Sequence, residues 1–271
     1  MSKLQNLHSH SRYCDGKLSL EEMVVAAIAK GCDSFGFSGH SYAPFDTKYC
    51  MSHENTLRYK REAAELKAKY ADRIELFIGI EQEYYADEKP EGYDFVIGAV
   101  HFIKKGSAFV CVDCGPEGQR LEVDTHFGGD HLAMAEAYYE TIANVAGKTG
   151  ADFVAHFDLA AKYNFDGTLF DLNHRRYVAA ALGAMDEILK TCNLFEVNVG
   201  AMYRYGKTEP APSVFLLREL RKRGGEVILS SDSHDAASIC YKFGEISELL
   251  KVCGYKYARQ LTKNGFIDVP L

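Results

Sequence analysis

The sequence predicts an α/β protein whose parallel strands close into a barrel, with a metal-binding rim at their C-terminal ends. Three observations predict it. Short apolar runs alternate with longer helical stretches along the chain, which is the pattern of βαβ units and a parallel sheet. No G-x-G-x-x-G follows an early strand, so the fingerprint of an open nucleotide-binding sheet is missing. Six of the seven predicted strands end in His, Asp or Glu. In a parallel barrel all those ends open on one face, and that face carries the active site.

The elements follow in order. "LQNLHSH" is the first strand, and its His8 and His10, two residues apart, point to one side. Ser19 is the N-cap of the next helix, Glu22 completes an S-x-x-E capping box, and Gly31 sits just past its end. "SFGFSGH" is the second strand, and a polar loop at 41–53 leads to a helix over about 54–71, rich in Lys, Glu and Ala. "IELFIGIEQEY" and "DFVIGAVHFI" are the third and fourth strands. Gly, Cys, Pro and charged residues then break the alternation over 105–128, which reads as a hairpin insertion. A helix at about 130–148, the strand "DFVAHF", a helix at 174–192 and the strand "LFEVNVG" follow. The helix "SVFLLRELRKR", the strand "GEVILSSDSH", a last helix at 236–252 and a short tail complete the chain. With no repeat, low-complexity tract or linker, residues 1–271 read as a single domain.

Composition narrows the function. Hydrophobic residues make up 47% of the 271 residues and charged ones 25%, enough to fill a sizeable core. A formal net charge of -7 leaves no broad basic surface for nucleic acid, though a local cationic pocket for a small anion fits. The longest apolar run, near "MVVAAIA", is far short of the ~18 residues a membrane span needs. The opening "MSKLQNLHSH" lacks the apolar centre of a signal peptide. Eight scattered cysteines point to free thiols in a reducing cytoplasm. The one C-x-x-C, Cys111 and Cys114, has no second pair and reads as incidental.

The strand ends carry the chemistry. His8, His10, His40, Glu81, His101, His156, Asp232 and His234, with Asp15 just beyond the first strand, give nine nitrogen and carboxylate donors. That number exceeds the four donors of one zinc site and suits two or three divalent ions. Adjacent divalent ions acidify a bridging water and clamp phosphoryl oxygens, so the donor set predicts metal-assisted hydrolysis, with phosphate esters as the leading substrates. The other histidines, His53, His126, His131 and His174, fall in loops or helix starts and read as solvated or capping residues.

"HSHSRYCDG", "GFSGH", "GIEQEY", "AVHF", "AHFDL" and "SSDSH" occur in the order found in the polymerase and histidinol phosphatase (PHP) superfamily. The whole chain, including "HFDLAAKYNFDG" and "EVNVGAMYR", most resembles the histidinol-phosphate phosphatases within it. The resemblance implies a distorted (β/α)7 barrel with a trinuclear centre of zinc, manganese or iron. His8, His10 and Asp232 would hold one ion and Glu81 would bridge to a second, completed by His101 and His156. Asp15, His40 and His234 would hold the third. The implied reaction is hydrolysis of L-histidinol phosphate to L-histidinol and phosphate in histidine biosynthesis. Glu81, Asp232 and His234 are the ligands it places in catalysis. The family sets cations over the phosphate from the loops after the fifth and sixth strands. Arg204 fits one such place, and guanidinium suits bidentate phosphate binding. The other place holds Lys162 instead of an arginine. Tyr42, Glu83 and Asn198 are, by position alone, candidates for the imidazole and ammonium of the substrate.

Two rival readings belong beside this one. The first is a PHP phosphoesterase for another small phosphate ester, a nucleotide or a sugar phosphate. The second is a non-catalytic metal-binding barrel. The acidic chain argues against a polynucleotide substrate.

Overall fold

The computed structural model describes residues 4–46 and 48–271; Met1, Ser2 and Lys3 of the opening stretch and Thr47 of the 41–53 loop lie outside the described residues. In chain order the strands are β1 (Gln5–Asn6), β2 (Ser34–Phe37), β3 (Glu75–Glu83), β4 (Phe95–Ala99), β5 (Phe102–Lys105) and β6 (Ala108–Cys111). They continue with β7 (Phe153–Val154), β8 (Leu194–Asn198), β9 (Glu226–Ser230), β10 (Tyr257–Thr262) and β11 (Gly265–Pro270). The helices are α1 (Leu20–Ala29), α2 (His53–Lys69), α3 (Pro116–Phe127), α4 (His131–Ile142) and α5 (Val145–Thr149). The later ones are α6 (Arg175–Ile188), α7 (Gly200–Tyr205), α8 (Val214–Lys222) and α9 (Phe243–Val252).

Strands β1, β2, β3, β4, β7, β8 and β9 form one sheet in that order, every pairing parallel. The ends meet just above the short β1. The His10 amide donates to Ser233 O at 2.8 Å and the Ser233 amide to His8 O at 3.1 Å, a parallel bridge that closes the circle. Both predicted ligand pairs, His8/His10 and Asp232/His234, therefore flank one seam. Helices cover the outside, as parallel strands buried on both faces require. Met23, Phe35, Phe37 and Tyr59 fill the layer beneath α1 and α2, and Tyr138, Phe153, Tyr177 and Phe195 the layer beneath α4 and α6.

The first helix forms as read: Ser19 accepts from the Glu22 amide and Glu22 reaches back to the Ser19 amide. Elsewhere the boundaries shift for local reasons. The fourth strand stops at Ala99, because Phe102 leaves the barrel to pair antiparallel with Cys111. The 105–128 segment is half hairpin and half helix; Pro116 starts α3 and the left-handed Gly128 ends it. The single helix expected over 130–148 is two, broken at Ala143–Asn144. The short tail is the hairpin β10–β11, whose two-residue turn, Lys263–Asn264, leads into Gly265. It seals the N-terminal end of the barrel: Gln5 donates to Leu261 O and accepts from the Leu261 amide, each at 2.8 Å.

Candidate metal centre

All nine predicted donors meet at the C-terminal rim, and Glu81 stands at their centre. Its Oε2 lies 2.9 Å from His40 Nδ1, 3.2 Å from His8 Nε2 and 3.5 Å from His10 Nε2. Its Oε1 lies 3.0 Å from His156 Nε2 and 3.3 Å from His101 Nε2. The two oxygens thus face two separate sets of imidazoles. Asp232 Oδ1 is 3.3 Å from His10 Nε2 and 3.7 Å from His8 Nε2. Asp15 faces a third set: His234 Nε2 at 2.9 Å, His10 Nδ1 at 3.5 Å and His40 Nε2 at 3.6 Å. Three groups have donors within 4.8 Å of one another: His8/His10/Asp232, His10/Asp15/His40/His234 and His40/Glu81/His101. His10 and His40 join neighbouring groups.

The backbone is shaped to bring them there. Residues i and i+2 on a strand share a face, which turns His8 and His10 inward together. Gly16 lets the chain fold back and present Asp15; a Cβ there would stand 2.5 Å from the His10 carbonyl carbon and the Ser11 amide. Asp232 takes φ 46, a left-handed conformation uncommon outside glycine and concentrated at functional sites.

The donor set fits divalent ions. Two donors about 2.1 Å from a shared tetrahedral ion lie about 3.4 Å apart, and the His8, His10 and Asp232 spacings of 3.3–3.7 Å match that. His8 Nε2, His10 Nε2, Asp15 Oδ1 and Glu81 Oε2 are buried without a hydrogen-bond partner. Such orphaned polar atoms are costly unless something else binds them. Protonation agrees. Burial, with His234 and His40 beside it, holds His10 down at about 3, leaving a lone pair free. Burial alone would raise Glu81, but His8, His40 and His101 keep it well below the usual carboxylate range. Asp232 is likewise held ionised against its burial, chiefly by Arg204 and His8. The structure therefore provides sites for divalent metal ions.

Two more carboxylates stand behind the imidazoles. Glu196, on β8 and wholly buried, accepts from His8 Nδ1 at 2.5 Å, the His156 amide at 2.7 Å, Asn198 Nδ2 at 2.9 Å and the Ser230 hydroxyl. Glu83 accepts from His101 Nδ1 at 3.0 Å and from the His101 amide at 2.9 Å. A carboxylate on the far nitrogen fixes the tautomer and aims the near nitrogen at a metal. The sequence reading missed Glu196. Its signal was a charged residue inside the apolar strand "LFEVNV", on the same side as Asn198.

The substrate-facing expectations fare differently. Glu83 is turned to His101 and serves the inner framework, while Asn198 binds Glu196 and the Gly200 amide and also lines the neighbouring cavity described below. Tyr42 packs its ring on His53, with centroids 3.9 Å apart, and lines neither of the two cavities described below. Arg204 does reach the rim. Its Nη2 donates to Asp232 Oδ2 at 2.7 Å and its Nη1 to Asp232 O at 2.8 Å, so it supports a donor as well as facing the cavity. Lys162 also reaches the cavity, its Nζ 2.7 Å from each oxygen of Asp113, which in turn accepts from the Tyr163 hydroxyl at 2.5 Å. Asp113 comes from the 105–128 insertion, and Cys111 and Cys114 line the same opening with their thiols free. Of the four histidines set aside, His174 caps α6 by accepting from the Arg176 amide, and His53 is exposed beside Glu88. His126 pairs with Glu122 along α3, and His131 opens α4.

Two cavities adjoin here. One, of about 260 Å³, is lined by seven of the nine donors, all but His8 and His10, and is walled by Tyr49, Phe102, Asp113 and Tyr163. The other, of about 540 Å³, opens on the far side of Lys162, Arg204 and Tyr205. Among the described residues no helix is long and apolar enough to cross a membrane.

A barrel with a polyhistidine, polycarboxylate rim defines a class of metal-dependent hydrolase scaffolds. Residues 6–198 match the model of the PHP domain, and the chain belongs to that family. It is 22% identical to the histidinol-phosphatase of Bacillus subtilis over 268 residues, covering 87% of this chain and 95% of the relative. It is 24% identical to a Schizosaccharomyces pombe protein assigned as a histidinol-phosphatase, over 91% of this chain and 86% of the relative. A Listeria monocytogenes structure assigned as a histidinol phosphatase superposes with TM-score 0.77 at 18% identity, covering 89% of this chain and 99% of that one. The histidinol phosphate phosphatase of Lactococcus lactis, solved with zinc, L-histidinol and phosphate, superposes with TM-score 0.67 at 19% identity, over 98% and 99% of the two chains. These likenesses bear out the distorted seven-stranded barrel.

Proposed function

We propose that the protein is a metal-dependent phosphomonoesterase that hydrolyses L-histidinol phosphate to L-histidinol and phosphate. The observation that carries it is Glu81 dividing its two oxygens between two sets of imidazoles, with Asp15 gathering a third. The names of the curated relatives supply the substrate, and they cover nearly the whole chain.

Divalent ions held there would supply an acidified water as nucleophile and charge compensation on the phosphoryl oxygens. The residues do the rest. His8, His10 and Asp232 would hold one ion, Glu81 would bridge to a second with His101 and His156, and Asp15, His40 and His234 would hold a third. His40, reaching both Glu81 Oε2 and Asp15, links the bridging carboxylate to the third set. Glu196 and Glu83 keep the protons of His8 and His101 on Nδ1, so that Nε2 stays free to coordinate. Arg204 orients Asp232 while facing the phosphate, and Lys162 keeps one of its three donors beyond the Asp113 pair.

Charge supports the count of ions. Asp15, Glu81, Glu83, Glu196 and Asp232 carry five negative charges at the centre, Arg204 one positive charge, and Lys162 and Asp113 cancel. Two divalent ions would neutralise the remainder. A third would leave two positive charges, the match for the dianion of a phosphate monoester. Elemental analysis combined with a panel of phosphate monoesters tests the reading. Three equivalents of metal and a preference for L-histidinol phosphate are expected; equal turnover of every ester in the panel overturns the substrate.

A further inference from the structure

The larger cavity has no role in holding ions, yet it shares the walls His156, Lys162, Arg204, Tyr205 and Asp232 with the cavity over the metal centre. A phosphate seated on the donors would therefore have its leaving group within reach of this chamber. Two carboxylates flank that passage, Asp113 half-buried and Asp158 buried. Asp113 is already spent, on both contacts to Lys162 and on the Tyr163 hydroxyl. Asp158, 7% exposed, accepts from the Ser213 amide at 2.8 Å, and among the described residues no lysine or arginine nitrogen stands within 4.0 Å of it. Lys207, the nearest cation across the chamber, donates its Nζ to Ala161 O at 2.9 Å instead. The outer wall is aromatic: Phe165 and Tyr205, ring centroids 6.2 Å apart, border the opening.

A buried carboxylate without an ionic partner, on the wall of a roomy chamber, is a receptor for a cation. We propose that this chamber seats the leaving alcohol and that Asp158 is the counter-ion of its ammonium group, with the imidazole ring lying against Phe165 and Tyr205. The assignment rests on the substrate reading above and adds the residue that makes the site select an amino alcohol.

The test compares two esters on the metal-loaded enzyme: L-histidinol phosphate and the same ester without its amino group. The wild type should favour the amino ester by about tenfold or more in kcat/KM, the scale of a charge-assisted hydrogen bond. Asp158→Asn keeps the size of the side chain and an oxygen for the Ser213 amide. It should erase that preference through KM, with metal content unchanged and the desamino ester altered by less than about threefold. A preference that survives in Asp158→Asn, or an equal loss on both esters, overturns the assignment. If the variant does not fold, the wild type decides alone, since failure to distinguish the two esters also overturns it. A wild type that turns over L-histidinol phosphate no faster than unrelated monoesters refutes the substrate reading instead.

Discussion

Replacing Glu196 by glutamine tests the support of the centre without touching a proposed ligand. Every partner of Glu196 donates to it: His8 Nδ1, the His156 amide, Asn198 Nδ2 and the Ser230 hydroxyl. Glutamine brings one acceptor and two donors of its own. The Asn198 amide cannot turn round, because its Oδ1 holds the Gly200 amide, and the backbone N–H of His156 cannot change. The glutamine oxygen must therefore face those two, which points its NH2 at Ser230 and His8. Ser230 can rotate its proton away. His8 can accept only by moving its proton to Nε2, the nitrogen that faces Glu81 and Asp232. Loss of such a support lowers metal affinity by about 10–100-fold, or ~1.4–2.7 kcal/mol. Titration of metal-free protein with zinc or manganese against a competing chelator measures it. An affinity for the weakest-bound ion within about twofold of wild type would refute the tautomer argument.

Glu83→Gln should be milder than Glu196→Gln, because the His101 amide and Nδ1 donate to the same Glu83 oxygen and one glutamine oxygen can accept from both; the same chelator titration should find a smaller loss of metal affinity than in Glu196→Gln. Glu81→Ala and Asp232→Ala should each release metal and cut kcat by at least ~10²-fold, followed by elemental analysis and ester hydrolysis. Arg204→Ala should weaken both ester binding and metal retention, because its guanidinium holds Asp232; full metal content would place it on the phosphate alone. Chelation should abolish hydrolysis and lower the melting temperature, with both restored by a divalent salt. Metal affinity should fall as pH drops, because protons compete for the imidazoles; His8 and His101 are both raised well above their usual value despite burial, His8 by Glu196, Glu81 and Asp232 and His101 by Glu81 and Glu83, so both hold their protons against a metal as the pH falls.

The parts of the fold legible in the sequence were those with a strict period. Extended alternation turns His8 and His10 to one side, and the S-x-x-E box at Ser19 marks α1 to the residue, whereas Asp232 and His234 meet past the end of β9, where Asp232 is left-handed. Where long-range contacts decide, the pattern was silent. β10 and β11 are short and half-exposed, and nothing local says that Gln5, some 250 residues away, will hold Leu261. The run from Asp94 to Ile103 looks like one strand because apolar residues fill it, but its end belongs to the β5–β6 hairpin, where Phe45 stacks on Phe109 at 4.0 Å. Tyr42 was misplaced for a related reason. Position after a strand end fixes neither the turn of the next residue nor a partner such as His53.

The same period explains why the donors were easier to find than their supports. Residues i and i+2 on one strand face are about 6.6 Å apart, roughly twice the spacing of two donors on one ion. A second polar residue on that face reaches the same ion only if its side chain leans back. His8 and His10 manage this, with ring centroids 5.1 Å apart, because both rings converge on Asp232 Oδ1. Glu83 does not. One step above Glu81 on β3, it meets His101 as the chain leaves β4, and it becomes a support. Glu196 lies two residues before Asn198, deep in β8, and there it meets the back of His8 instead of an ion. Depth along the barrel, set by the register between neighbouring strands, therefore separates ligand from support. Gly200 sits where that depth runs out: a Cβ there would come within 2.7 Å of Arg204 Nη2 and 3.0 Å of Asp232 Oδ2, so a larger residue would press on the guanidinium that holds Asp232 in place.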